Sequence, residues 1–318
     1  MKVDVHQHLW SEPLVEALSL RREFPYIARE NALAVLYLRG ERPYVIDLES
    51  EAPARRARLL SEDGVDRALL CLSSPAGIEW LAPKEAAPLL DAYHDGAFSA
   101  GEKFGVWGSI ALRDPDPADV DRLLADGCVG LSLPAGAIGS VERLARMRAV
   151  LERLAEHDAP LLVHPGPGPG ELSADHGEPA LREPLWWSAL TSYVASMHCA
   201  WLAFRAAGRA DHPDLRVIFT MLAGLAPLQA ERLQSRGDQE RAAPDQLTFY
   251  EVSSYGSEAI GAVAAVVGEG QLLYGSDRPV VDPSALGTPS LLDWDAVGEA
   301  SERALGQVFV STRDGMLR

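Results

Sequence analysis

Eight short apolar runs, each followed by a longer amphipathic stretch, limit what this chain can fold into. They are "VDVHQH" (3–8), "RALLCLS" (67–73), "FGVWGSIAL" (104–112), "CVGLSLPA" (128–135), "PLLVHPG" (160–166), "RVIFTML" (216–222), "LTFYEVSS" (247–254) and "QLLYGSD" (271–277). Each is continuously apolar rather than alternating, the pattern of strands covered on both faces. Between them, "SVERLARMRAVLERLAEH" (140–157) spaces its apolar residues as a helix does. "DPADVDRLLADG" (116–127) opens on Asp and Pro and stops at Gly127, and "LQAERLQ" and "GSEAIGAVAAVVGEG" follow the same scheme. Strand and helix alternating eight times predict an α/β fold, the parallel (β/α)8 TIM barrel. The rival, an open doubly wound sheet, usually has a Gly-rich phosphate loop after its first strand. Here "LWSEPLVEAL" follows, without glycine. "HPGPGPGE" (164–171) is Gly-rich, but its prolines remove the N–H groups a phosphate nest needs, so it reads as a stiff loop.

One segment breaks the rhythm. Residues 24–50 hold two strand-like runs around "RGER", which predicts a small β-hairpin inserted between the first strand and its helix. Loops of this kind lie at the C-terminal mouth of a barrel, so the insert is expected to cap the site there. Residues 1–318 otherwise read as one domain, with 47% hydrophobic and 24% charged residues. A net charge of −17 argues against nucleic acid or an anionic membrane as partner and leaves a small-molecule substrate. No run reaches the roughly 18 apolar residues of a membrane span. The first strand starts at Lys2 or Val3, which leaves no room for a signal peptide, and Cys71, Cys128 and Cys199 form no CxxC pair. Both features predict a cytoplasmic protein whose reduced thiols pack as small core residues.

His6 and His8 sit two residues apart in the first run, so their side chains share one face of a strand. His164 ends the fifth run and Asp277 the eighth. In a barrel those strand ends meet at one mouth. Any one of the four alone would read as an ordinary polar residue near a strand end. Together, three imidazoles and a carboxylate suit a mononuclear divalent metal with one position open to water. Zinc is the first expectation, manganese and iron the alternatives. Trp107, Ser253, Tyr255, Arg278, Trp186 and, in the insert, Arg29 are candidate substrate contacts. An arginine at the mouth either grips a carboxylate with two hydrogen bonds or stands solvated. Trp186 and Trp187 either stack on an aromatic substrate or cover the barrel. His198 lies mid-helix and is expected to pack or bond a carbonyl; His94, His157 and His212 lie at the wrong end or outside, and His176 reads as exposed.

The stretches "VDVHQH", "LLVHPG", "HPDLRVIFTMLAGLAPLQAERL" and "LLYGSDRPV" resemble the amidohydrolase superfamily, in particular the branch that includes aminocarboxymuconate-semialdehyde decarboxylase. The resemblance runs from the first strand to the last. It implies His6, His8, His164 and Asp277 as metal ligands, with Asp277 also taking the proton of an activated water, and it admits a homodimer. Three departures matter. Met221 stands where the family has a histidine that works as acid and base beside the metal, and Ala223 replaces a glycine. A thioether transfers no protons and is a poor ligand for a hard site, so Met221 reads as a pocket wall. "FVSTRDGML" replaces the family's Asn-Ala near the C-terminus. The fourth run has no lysine, which excludes the two-metal type built on a carbamylated one.

Three functions follow as expectations. The first is a metal-dependent hydrolase of a small amide, ester or lactone, with Asp277 as the base. The second is a nonoxidative decarboxylase of a small unsaturated or aromatic acid, a lyase. The third is a barrel that binds metal or ligand without turnover.

Overall fold

The structure is a computed structural model and describes residues 1–30, 33–171, 183–283 and 287–314. Strand β1 (Val3–Gln7) opens the chain. Three strands of the insert follow: β2 (Tyr26–Glu30), β3 (Leu33–Tyr37) and β4 (Tyr44–Asp47). The remaining barrel strands are β5 (Arg67–Leu70), β6 (Phe104–Gly108), β7 (Gly130–Pro134), β8 (Leu161–His164), β9 (Val217–Phe219), β10 (Thr248–Glu251) and β11 (Leu272–Leu273). β1 and β5–β11 form one parallel sheet in chain order. The sheet closes on itself: Val5 N–H donates to Tyr274 O at 2.9 Å, and Gln7 bridges Arg278 in parallel. This is the (β/α)8 barrel, and all eight strands fall inside the eight apolar runs.

The barrel interior is one cluster of side chains. It draws Val3 and Val5 from β1, Leu69 from β5, Trp107 from β6, Leu162 from β8, Ile218 from β9, Phe249 from β10 and Leu273 from β11. Ala300, Ala304 and Leu305 of the last helix (Trp294–Asp314) join this cluster and cover the bottom of the barrel. The outer face of the strands packs on the surrounding helices in a second, larger core. Among the described residues no helix is long and apolar enough to cross a membrane.

Three local features differ from the sequence expectation. The insert is a three-stranded antiparallel sheet, not a two-stranded hairpin; only β3 and β4 flank "RGER". In the sequence, residues 31–32, "NA", carry no glycine to signal a break between two strands. Residues 140–157 form two helices, Val141–Arg146 and Arg148–Glu156, that meet at Met147. Cys199 is exposed rather than packed in the core; Cys71 and Cys128 are buried.

Candidate metal centre

The register of β1 against β5 slips between Asp4 and Gln7. Such a bulge re-aims side chains at a strand end. Within the slip both Val5 and His6, although consecutive, face the barrel interior, and His8 does so beyond it. Their rings and that of His164 stand 4.9–5.0 Å apart, centre to centre, and nearly perpendicular to one another. All three are buried. Asp277 follows β11 with φ of 56°, a left-handed conformation that directs its carboxylate over the mouth. Its Oδ1 lies 3.1 Å from His8 Nε2 and 3.5 Å from His6 Nε2. Its N–H is tied to His6 O at 2.9 Å, so the seam between first and last strands also sets the spacing of the donors.

The far nitrogen of each ring is engaged. His6 Nδ1 donates to Glu251 Oε2 at 3.1 Å, His8 Nδ1 to Cys71 O at 2.9 Å, and His164 Nδ1 to Pro165 O at 2.7 Å. A carbonyl can only accept, so Nδ1 of His8 and of His164 carries the proton and Nε2 keeps its lone pair. His6 Nε2 and His8 Nε2 are 3.3 Å apart. A tetrahedral ion with nitrogen ligands at about 2.0–2.1 Å separates its donors by roughly 3.3 Å. The donor set and its spacing fit a single divalent cation.

Electrostatics point the same way. Burial by itself disfavours imidazolium, but Cys71 and Asp277 outweigh it for His8, pushing it up to about 10. His6 is driven upward against the same burial by Cys71, Asp277 and Glu251. His164 goes down, first by burial and then by its charged neighbours His8 and His6. The surroundings thus call for positive charge at the cluster, which a divalent cation supplies while displacing those protons.

Two residues here escaped the sequence reading. Cys71 is in the core, as expected, but its Sγ also lies 3.5 Å from His8 Nδ1, and it groups with His6, His8 and His164 as a further metal-donor candidate. Burial pushes this thiol up, and His8 and His6 pull it down further, to about 7. Glu251 is wholly buried. Its Oε2 accepts from His6 Nδ1, from Met221 N–H at 3.0 Å and from Ser253 Oγ–H at 2.9 Å, and its Oε1 accepts Ser253 N–H. A Cβ on Gly275 would overlap the Glu251 carboxylate, which accounts for the glycine in "YGSD". Gly275→Ala is therefore expected to displace Glu251, free His6 to turn, and weaken metal binding about 10- to 100-fold, the usual effect of losing such a partner. A metal titration of the variant checks it; unchanged affinity would show that Glu251 does not orient His6.

The other predicted contacts divide. Met221 and Ser253 adjoin the cluster through Glu251. Trp107 is the floor: fully buried, it donates its indole N–H across the barrel to Val5 O at 2.9 Å. Tyr255 is half-buried against the outer core. The structure places three others away from the imidazoles. Arg278 spends its guanidinium on Asp63 at 2.9 Å, Arg29 is exposed and paired with Glu12 at 2.8 Å, and Trp186 is exposed against Trp187. His198 bonds a carbonyl, Gly224 O, at 2.6 Å. His176 lies outside the described residues. Burial raises Tyr44 of β4 and Tyr193, and both also feel the charge of Asp277. Tyr193 O–H donates to Glu41, in the loop between β3 and β4.

No protein-family model and no curated protein matches the sequence. Solved structures do match its fold. IDCase of Metarhizium anisopliae superposes with a TM-score of 0.72 at 16% identity, over 98% of this chain and 94% of that one. 2,6-Dihydroxybenzoate decarboxylase from Rhizobium gives 0.66 at 15% identity, over 96% and 98%. 5-Carboxyvanillate decarboxylase from Novosphingobium aromaticivorans, complexed with manganese and 4-hydroxy-3-methoxy-5-nitrobenzoic acid, gives 0.63 at 18% identity, over 81% and 82%. The chain shares the barrel fold of these three structures, over nearly its whole length for the first two and about four fifths of it for the third.

Proposed function

We propose that the protein is a metal-dependent decarboxylase of a small hydroxylated aromatic or unsaturated acid. The observation that carries this reading is the grouping of the His6, His8 and His164 rings at the barrel mouth, with the Asp277 carboxylate 3.1 Å from His8 Nε2. His6, His8, His164 and Asp277 would hold one divalent cation, manganese or zinc. Such a cation, when bound, concentrates positive charge where a substrate carboxylate or phenolate oxygen must sit. Decarboxylation breaks the C–CO2 bond, leaves the electron pair on the ring carbon and places a proton there. Asp277 is the acid–base group of the cluster and, being partly exposed, can take that proton from water. Met221 transfers none, and the buried Trp107 lies below the cluster. The likeness to two aromatic-acid decarboxylases favours this chemistry over hydrolysis, which would use the same Asp277.

A panel tests the choice. Protein loaded with manganese or zinc is offered 2,6-dihydroxybenzoate, 5-carboxyvanillate, and small lactones and amides. Release of carbon dioxide from an acid is the expected result. Hydrolysis of a lactone or amide would replace the reading with a hydrolase. Metal-dependent binding without turnover across the panel would make the barrel a non-catalytic binder.

A further inference from the structure

Buried hydroxyls rarely lack a hydrogen-bond partner. Ser109 and Ser132 are both 1% exposed, and among the described residues neither Oγ has one. The two are neighbours. Trp107 pairs with Gly130 and Gly108 with Leu131 across β6 and β7, so the next step sets Ser109 beside Ser132. Laterally paired residues of parallel strands, and residues two apart on one strand, face the same side of the sheet. Ser109 is two beyond Trp107, and Ser132 pairs with Leu162; Trp107 and Leu162 both face the barrel interior. Leu162 in turn lies two residues below His164. Both hydroxyls thus face the barrel interior, Ser132 from β7, the strand beside His164, and Ser109 from the end of β6, one strand further on. No metal-ligand candidate comes from β6 or β7. Main-chain ties keep the pair in place: Ser109 N–H donates to His94 Nε2 at 3.1 Å, and burial holds His94 down at about 4, so its ring is a neutral acceptor.

We infer that Ser109 and Ser132 form a polar subsite that receives a second oxygen of the substrate, a ring hydroxyl or phenolate, while the first oxygens face the imidazoles and Asp277. Two hydroxyls on adjacent strands can donate to one oxygen, and an anionic acceptor gains most from such donors. The inference rests on the decarboxylase reading for its substrate class. It explains why two polar groups are sunk into an apolar barrel without partners of their own.

Calorimetry on manganese-loaded protein tests it, with 2,6-dihydroxybenzoate and unsubstituted benzoate as probes. The wild type should prefer the dihydroxy acid. Ser109→Ala together with Ser132→Ala should weaken 2,6-dihydroxybenzoate by about tenfold or more. Benzoate affinity and manganese affinity should stay unchanged. The single variants repeat the measurement if the double variant folds poorly. Equal binding of the dihydroxy acid by wild type and variants would overturn the subsite and leave the hydroxyls to a buried water. Absence of dihydroxybenzoate binding by the wild type would also overturn it. Carbon dioxide is measured in the same samples. Selective loss of binding without any carbon dioxide would keep the subsite and refute the decarboxylase; carbon dioxide with unaltered binding in the variants would do the reverse.

Discussion

Asp277→Asn is expected to slow turnover of the metal-loaded protein at least about a hundredfold, the scale of a lost acid–base group. The substitution is unusually clean at this position. Asp277 has φ of 56°, and Asn tolerates the left-handed region as well as Asp does. The N–H bond to His6 O is a main-chain contact and survives. What changes is the carboxylate 3.1 Å from His8 Nε2, which becomes an amide that neither balances the charge of a cation nor takes a proton. Metal binding should weaken as well, so rates are compared at saturating metal. A rate within a few-fold of wild type under those conditions would remove Asp277 from the chemistry.

Glu79→Gln is expected to stabilise the protein at pH 8 and to leave it unchanged near pH 4. Glu79 is 1% exposed, accepts one bond from Ser74 Oγ at 2.7 Å on Oε1, and has no partner on Oε2 among the described residues. Burial raises its carboxyl from 4.5 to about 7. Below pH 4.5 the group is protonated in both folded and unfolded chains and has no pH-dependent effect. Between 4.5 and 7 the unfolded chain ionises first, so stability falls as pH rises; above 7 the loss is complete. A difference of about 2.5 units corresponds to roughly 3 kcal/mol. Gln keeps the Ser74 bond and never ionises, so it removes this penalty. Denaturant unfolding at pH 4 and pH 8 measures the difference between the two proteins at each pH. Stability curves that run parallel would show that Glu79 is ionised in the folded state at neutral pH.

The barrel was legible because strands buried on both faces must be apolar throughout, and that leaves an unmistakable run. The candidate ligands stood out for a related reason: a charged or imidazole side chain at the end of such a run has few places to point. By the same logic Glu251 was within reach, since it follows Phe249 by two in "LTFYEVSS" and must face the same interior. It passed unnoticed because a lone glutamate in an apolar run does not say what it bonds. The turn after β9 was not legible at all. Met221, Leu222, Ala223 and Leu225 hold φ between 44° and 67° around Gly224, where L-residues are disfavoured. Such strain at a mouth persists only when surrounding contacts fix it, here Glu251 on Met221 N–H and His198 on Gly224 O. Arg278 and Arg29 show the opposite limit. Their charges were visible in the sequence, but Asp63 and Glu12, the partners that use them, are distant in sequence.

At the centre of the proposed site is a single divalent cation held by His6, His8, His164 and Asp277. Metal analysis by plasma mass spectrometry on the purified chain, after loading with manganese or zinc and removal of excess, measures it most directly. About one equivalent per chain is expected in the wild type, and close to none in the double variant His6→Ala, His8→Ala, whose circular dichroism should remain that of the folded barrel. A wild type that retains no metal, or a folded double variant that retains a full equivalent, would contradict the site.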